Sequence, residues 1–175
     1  MMRTKLSPAD LIEWGPANLE AAYGRAHYWT EDGGYPTPAD WFLALAESVA
    51  AELNDFGELP AAARFAFVDD VVAGDAATET LAGMYASDIL ADFARQMERL
   101  SRAAPDAVRL LFKELRATFR ERGEIRGRDV MFVVRSALTG SVEGPCLEVV
   151  VCLLGRRRAL DRVRARLKLI AGDAR

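Results

Sequence analysis

At 175 residues, 51% apolar and 28% charged, the chain has the composition of one packed soluble domain and excludes a disordered or fibrous segment. It holds no run of 18 uncharged apolar residues, and Met1 to Lys5 lead straight into a helix start without an apolar signal core, so the expectation is a cytoplasmic protein with no membrane association. The net charge of −3 conceals a split: residues 1–100 carry 6 Lys+Arg against 17 Asp+Glu, residues 101–175 carry 17 against 9, and only the second part offers a surface to a polyanion.

The chain reads as helix almost throughout. Ser7-Pro8-Ala9-Asp10 and Thr37-Pro38-Ala39-Asp40 repeat one start signal: a hydroxyl N-cap, proline at the first helical position, and an acid at the third, where it faces the positive helix end. The second signal leads into Trp41 to Leu53, with apolar residues at helical spacing. Between the two, Thr30 to Pro36 is turn chemistry around Gly33-Gly34. Further helices are predicted over 59–67, 76–101, 105–122, 127–139, 145–154 and 156–171. Val130 to Val134 is ambiguous, because its β-branched residues favour a strand while Gly127 and Gly140 bracket it as a helical unit. Gly140 is suited to close one helix in the left-handed conformation and Pro145 to sit in the first turn of the next.

Catalytic constellations are poor. His27 is the only histidine, too few for a metal triad or a Ser/His/Asp set, and a structural role is expected for it. Asp69-Asp70 diverge if helical, so capping or solvation is favoured over a metal site. Cys146 and Cys152, six apart on one predicted helix, match no metal spacing and are expected to be reduced, packed thiols. No glycine-rich phosphate loop occurs. The expectation is therefore a non-enzyme with no cofactor and no metal. Along 109–122 acids and bases alternate as on a solvated helix face. Arg156, Arg157, Arg158, Arg162, Arg164, Arg166 and Lys168 are offset by Asp161 alone and are expected to face a polyanion.

Arg135-Ser136-Ala137-Leu138-Thr139-Gly140, with Pro145 five residues on, and Leu153-Leu154-Gly155 followed by Arg158-Ala159-Leu160 and Arg162-Val163, carry a specific resemblance. The segment resembles the end of bacterial-type glutamyl-tRNA synthetases, whose all-helical anticodon-binding domain has an "R-x-A-L-T-G-x-x-x-x-P" corner and an "L-L-G-x-x-R-A-L-x-R" continuation. Glu58 to Asp70 and Leu110 to Asp129 extend it more thinly, over roughly residues 40 to 170. The family's nucleotide-binding signatures, H-I-G-H and K-M-S-K-S, are absent from these 175 residues.

The resemblance implies an all-α, multi-helix bundle of two small lobes, and the charge split divides the chain into an N-terminal helical extension over 1–36, an acidic lobe over 37–100 and a basic, anticodon-binding-like lobe over 101–175. It also implies that 130–134 is helical. It further implies a tRNA-binding module, with glutamate tRNA a candidate, acting beside a separate catalytic synthetase chain. By the same resemblance Arg135, Gly144, Pro145 and Leu147 are expected at the anticodon, Arg135 offering a planar fork to a base edge and Pro145 and Leu147 an apolar shelf. Arg156, Arg157, Arg158, Arg162 and Arg164 are expected at the tRNA backbone. One departure stands out: where family members commonly carry an arginine ahead of the 58–70 segment, this chain has Glu52. A carboxylate accepts a hydrogen bond from a base amino group but repels phosphate. Two other readings stay open: Arg135 as a cap on neighbouring carbonyls, and the whole chain as a protein-interaction module, using Trp14, Tyr28, Trp29, Tyr35 or Trp41, or as a fragment of a ligase.

Overall fold

The structure, a computed structural model, describes residues 6–121, 123 and 125–173. Among them are eight α-helices and no strand: α1 (Pro8–Tyr23), α2 (Pro38–Val49), α3 (Leu59–Phe67), α4 (Asp75–Leu81), α5 (Ala86–Glu98), α6 (Pro105–Glu121), α7 (Gly127–Thr139) and α8 (Leu147–Asp173). No helix among the described residues is long and apolar enough to cross a membrane.

The two repeated start signals act as the sequence requires. Ser7 Oγ accepts the Asp10 amide at 3.2 Å and the Asp10 carboxylate accepts the Ser7 amide at 2.9 Å, a full capping box. The Ser7 hydroxyl, which donates to the Asp10 carboxylate at 2.6 Å, and then the Ser7 amide hold that carboxyl below its ordinary value. Thr37 Oγ1 accepts the Asp40 amide at 3.1 Å. α7 settles the ambiguous 130–134 segment as helix. Val130, Val133, Val134, Ala137 and Leu138 recur at helical spacing and are buried, and Gly140 closes the helix at φ 74°.

Two expectations need correction. The predicted helix over 76–101 is two helices, α4 and α5, parted by a turn at 82–85 in which the Gly83 amide bonds the Thr80 carbonyl at 3.2 Å. Glycine is a poor helix former, and here the turn lets α4 pack against α7 while α5 packs against α8. Pro145 lies outside the last helix, which begins at Leu147 with the Val150 amide on the Cys146 carbonyl at 3.0 Å.

Packing falls into two groups, α1–α3 and α4–α7, both of which meet α8. A single cluster of buried side chains runs from Leu11 to Val163 through both groups. Of the aromatic residues in question, Trp41 is buried, Tyr28, Trp29 and Tyr35 are half-buried, and Trp14 is exposed.

α8 is broken at Gly155, which has φ 77° and ψ 166°. The last carbonyls of the first arm and the first amides of the second lose their intrahelical partners there. The 30–34 turn and α2 supply replacements. The Gly34 amide donates to the Cys152 carbonyl at 2.8 Å, and Trp41 Nε1 to the Leu153 carbonyl at 2.8 Å. On the other side, the Arg156 amide donates to the Asp32 carbonyl at 3.2 Å and the Arg157 amide to Asp32 Oδ2 at 2.6 Å. Asp32 is thus an N-cap supplied from 125 residues away. A side chain at 155 would also collide with it, since a Cβ there would lie 2.6 Å from both Asp32 Oδ1 and Thr30 Oγ1.

Asp32→Ala is expected to cost about 1 kcal/mol, the usual loss for an N-cap, read as a lower urea midpoint with unchanged slope. The cysteines give a second expectation. Cys152 is buried as expected and its thiol is pushed up to about 12, first by burial and then by Glu148 and Cys146, whereas Cys146, expected to be packed on the same helix, precedes it and is exposed. A thiol reagent at a pH of about 8 should modify Cys146 alone in the folded chain and Cys152 only in denaturant; rapid double labelling would contradict the packing described.

Candidate nucleic-acid interface

The corner after α7 is built by short-range bonds. The Gly140 amide returns to the Ser136 carbonyl at 3.0 Å, Thr139 Oγ1 donates to the Arg135 carbonyl at 3.0 Å and accepts the Ser141 amide at 3.2 Å, and Ser141 Oγ accepts the Glu143 amide at 3.1 Å. Gly144 follows at φ 125°, where a side chain is disfavoured, and the Arg135 guanidinium donates through Nη1 to the Pro145 carbonyl. Arg135 is half-buried, and burial pulls its guanidinium below the usual value, with Cys146 and Glu52 acting the other way.

Facing this corner is the extended strap 68–74 that leaves α3. The Gly74 amide donates to the Gly140 carbonyl at 2.9 Å, and a Cβ on Gly140 would lie 2.3 Å from the Val72 carbonyl oxygen. Glycine at 140 therefore serves twice: it accepts the left-handed turn and it admits the strap. Between strap, α3 and corner lies an open groove of about 230 Å³ lined by Glu52, Arg64, Phe65, Val68, Val72, Thr139, Ser141, Glu143, Gly144 and Pro145 among others.

Of the four expected corner residues, Gly144 and Pro145 line this groove, and Arg135 is joined to it through its bond to the Pro145 carbonyl. Leu147 is only 2% exposed and belongs to the core, so it offers no shelf at the surface. The alternative expectation for Arg135, a cap on a neighbouring carbonyl, is present in the structure as this bond to Pro145. Glu52 shares the groove with the corner although 83 residues separate it from Arg135 in sequence.

The basic run on α8 is not the free cationic face that its composition suggests. Residues 158, 162 and 166 are one turn apart on the inward face of the second arm. Arg158 is 6% exposed, with Nη1 on the Ala66 carbonyl at 2.9 Å, Nη2 on the Val68 carbonyl at 3.3 Å, Nε on Asp69 at 3.1 Å and its plane 3.6 Å from the Tyr28 ring centroid. Tyr28 in turn donates its hydroxyl to Asp69 at 3.1 Å, which gives half of the acidic pair at 69–70 a structural task. Arg162, also 6% exposed, donates to the carbonyls of Leu138, Phe65 and Val68. Burial, and after it the neighbouring Arg158, pulls the Arg162 guanidinium down to about 9. Arg166 donates to the Val71 carbonyl. Arg156 reaches the Met97 and Glu98 carbonyls at 3.2 Å, and Arg164 pairs with Glu98 at 2.6 Å. Of the five arginines expected at a phosphate backbone, Arg157 has an exposed side chain without a partner among the described residues, and Arg156 and Arg164 are partly committed. Arg158 and Arg162 are interior residues.

Arg64 is a groove residue that sequence reasoning passed over. It had a signal: it is the only Lys or Arg between Arg25 and Arg95. No group of three or more acidic, Cys or His side chains suited to a metal occurs among the described residues, and His27 is exposed.

A model of the family described as "Anticodon binding domain" matches residues 18–167. Among curated relatives, the glutamate–tRNA ligase of Lysinibacillus sphaericus is 33% identical over 97 residues, 55% of this chain and 19% of that protein. That of Natranaerobius thermophilus is 28% identical over 132 residues, 75% of this chain and 26% of the relative. The chain thus spans about a fifth to a quarter of the length of these relatives. A solved structure of a glutamate tRNA ligase from Elizabethkingia meningosepticum superposes with a TM-score of 0.70 at 12% identity, covering 91% of this chain and 29% of that one, which shows a shared fold. Matched over most of its length by the family model, the chain belongs to the anticodon binding domain family.

Proposed function

We propose that the chain binds tRNA and reads the anticodon in the groove between the 139–145 corner and α3. The observation that carries this reading is the juxtaposition itself: in a chain of this family, Gly144 and Pro145 and the remote Glu52 and Arg64 line one open groove of about 230 Å³, joined to Arg135 through the Pro145 carbonyl. Unstacked bases are held by packing their faces on small apolar surfaces and by bonding their edges, and this groove supplies both kinds of group. Arg135 spends Nη1 on the Pro145 carbonyl, and no further bond of its side chain occurs among the described residues, which leaves donors of the fork for a base edge.

Glu52 sets a preference. A carboxylate accepts from the amino group of cytosine, adenine or guanine, whereas uracil offers only N3–H between two carbonyl oxygens that repel it, so the groove favours an amino-bearing base there. Glutamate tRNA is the candidate suggested by the ligase relatives. The chain is read as the recognition part of the system, with aminoacylation supplied by a separate catalytic synthetase chain. Exposed Ile12 and Trp14 on α1, both outside the matched residues 18–167, favour protein contact as a second role of the same molecule. Pyrophosphate exchange with ATP, glutamate and tRNA, run with this chain alone, should stay at the blank.

Arg135→Lys keeps the charge and loses the planar fork, so it should cost roughly 1–3 kcal/mol against the preferred anticodon and little against others, in competition binding at one fixed salt. Glu52→Gln should weaken the preference for an amino-bearing base and leave binding to other tRNAs unchanged or slightly tighter. An unchanged ranking in both variants would remove the groove from anticodon reading. Bulk tRNA affinity should fall steeply with salt, and Arg157→Gln should lower that slope by about one without loss of thermal stability. Arg158→Gln acts differently: it exposes no phosphate site and should lower the melting temperature, because it strips a buried fork from the Ala66 and Val68 carbonyls.

A further inference from the structure

Arg162 is a buried cation with no carboxylate in ion-pair range among the described residues, a costly arrangement that calls for a reason. Its three acceptors supply one. Phe65 is in the last turn of α3 and Val68 is the first residue beyond it, while Leu138 is in the last turn of α7. Carbonyls at helix ends have lost their intrahelical donors and carry the negative end of the macrodipole. Two helix C-termini therefore converge on one guanidinium, which replaces the carboxylates a buried arginine would otherwise need.

The same two helix ends begin the two walls of the corner groove. α3 runs out into the strap at Val68 and Val72, and α7 runs out into Thr139 and Ser141. The Arg162 side chain donates to both ends. Arg158 bonds Ala66, Val68 and Asp69, and Arg166 bonds Val71, all on the α3 and strap side. Across the gap the direct link among the described main-chain bonds is the Gly74 amide on the Gly140 carbonyl at 2.9 Å.

We infer that Arg162 is a positioning residue for the groove: its planar fork spans the α3 and α7 ends and fixes the separation of the two walls between which a base must fit, without itself touching ligand. This rests on the groove being the anticodon site, and it adds a named residue that tunes selectivity from inside the fold. A lysine at 162 retains charge but, with its donors on one nitrogen, loses the fixed spacing between the Nη1 that holds the α7 end and the Nη2 that holds the α3 end.

The test compares the unmutated chain with Arg162→Lys and Arg158→Lys, an equally buried control on the strap side. Amide hydrogen exchange at Gly74, corrected for global stability, should quicken about tenfold in Arg162→Lys and stay within about twofold in Arg158→Lys. Binding to anticodon stem-loops that differ only in the anticodon should lose most of its ranking in Arg162→Lys, with the salt slope unchanged, and keep its ranking in Arg158→Lys. Equal quickening of Gly74 in both variants, or in neither, overturns the inference, as does a ranking preserved in Arg162→Lys. In the unmutated chain, the Arg162 guanidinium protons and the Gly74 amide should open together along a urea series; a Gly74 amide that opens at lower urea overturns it without any variant. If the unmutated chain binds stem-loops without ranking them, the anticodon reading falls, while the Gly74 measurements still decide whether Arg162 sets the wall separation.

Discussion

The break in α8 at Gly155 is the constraint on which the rest of the molecule depends. The first arm is a core helix whose Val150, Val151, Leu153 and Leu154 are all buried; the second must turn so that its inward face meets α3 and α7. That turn exposes helix-end groups that water would otherwise solvate, and the 30–34 turn covers them with Asp32 and Gly34 while Trp41 takes the Leu153 carbonyl. The direction of the second arm then brings residues 158, 162 and 166 to the strap, and the strap forms a wall of the groove. A local choice of one glycine and one distant aspartate thus propagates to the geometry of the candidate site.

The strap side of the groove is held mainly by buried donors on main-chain carbonyls. Its coupling to stability differs from that of a surface site. A loss of Arg158 or Arg162 leaves helix-end carbonyls without donors in a dry environment, which is more expensive than the loss of an exposed ion pair such as Arg164 with Glu98. The fold therefore tolerates the loss of the exposed Arg157 side chain and is weakened by the loss of Arg162.

Much of this was legible in the sequence, for identifiable reasons. Caps are written in side chains, so Ser7, Thr37 and Gly140 announced their helix ends, and the bounds of α3 and α7 followed from apolar spacing and punctuation. The division between α4 and α5 was less visible, because Ala82 and Met84 are good helix formers and only Gly83 marks the turn. The larger misreading, of Arg158 and Arg162 as solvent-facing, has a different origin. Their partners are carbonyl oxygens, which every residue carries and no residue letter reports; a run of arginine without matching acids looks unpaired until the fold shows which helix ends converge on it. The spacing of four between 158, 162 and 166 was the available sign, since it puts all three on one face. Glu52, in the short turn after α2, and Arg64, in α3, join the corner only through tertiary packing.

Because Arg158, Arg162 and Arg166 fasten residues 65–71 mainly by the main chain, with Asp69 also held through its carboxylate, the grip depends little on what side chains the other residues carry outward. Val72 at the edge of the groove is 81% exposed and packs little of its own surface. The lining of the groove is thus free to drift in shape and polarity through one or two substitutions on the strap while its frame stays fixed and the domain keeps its fold.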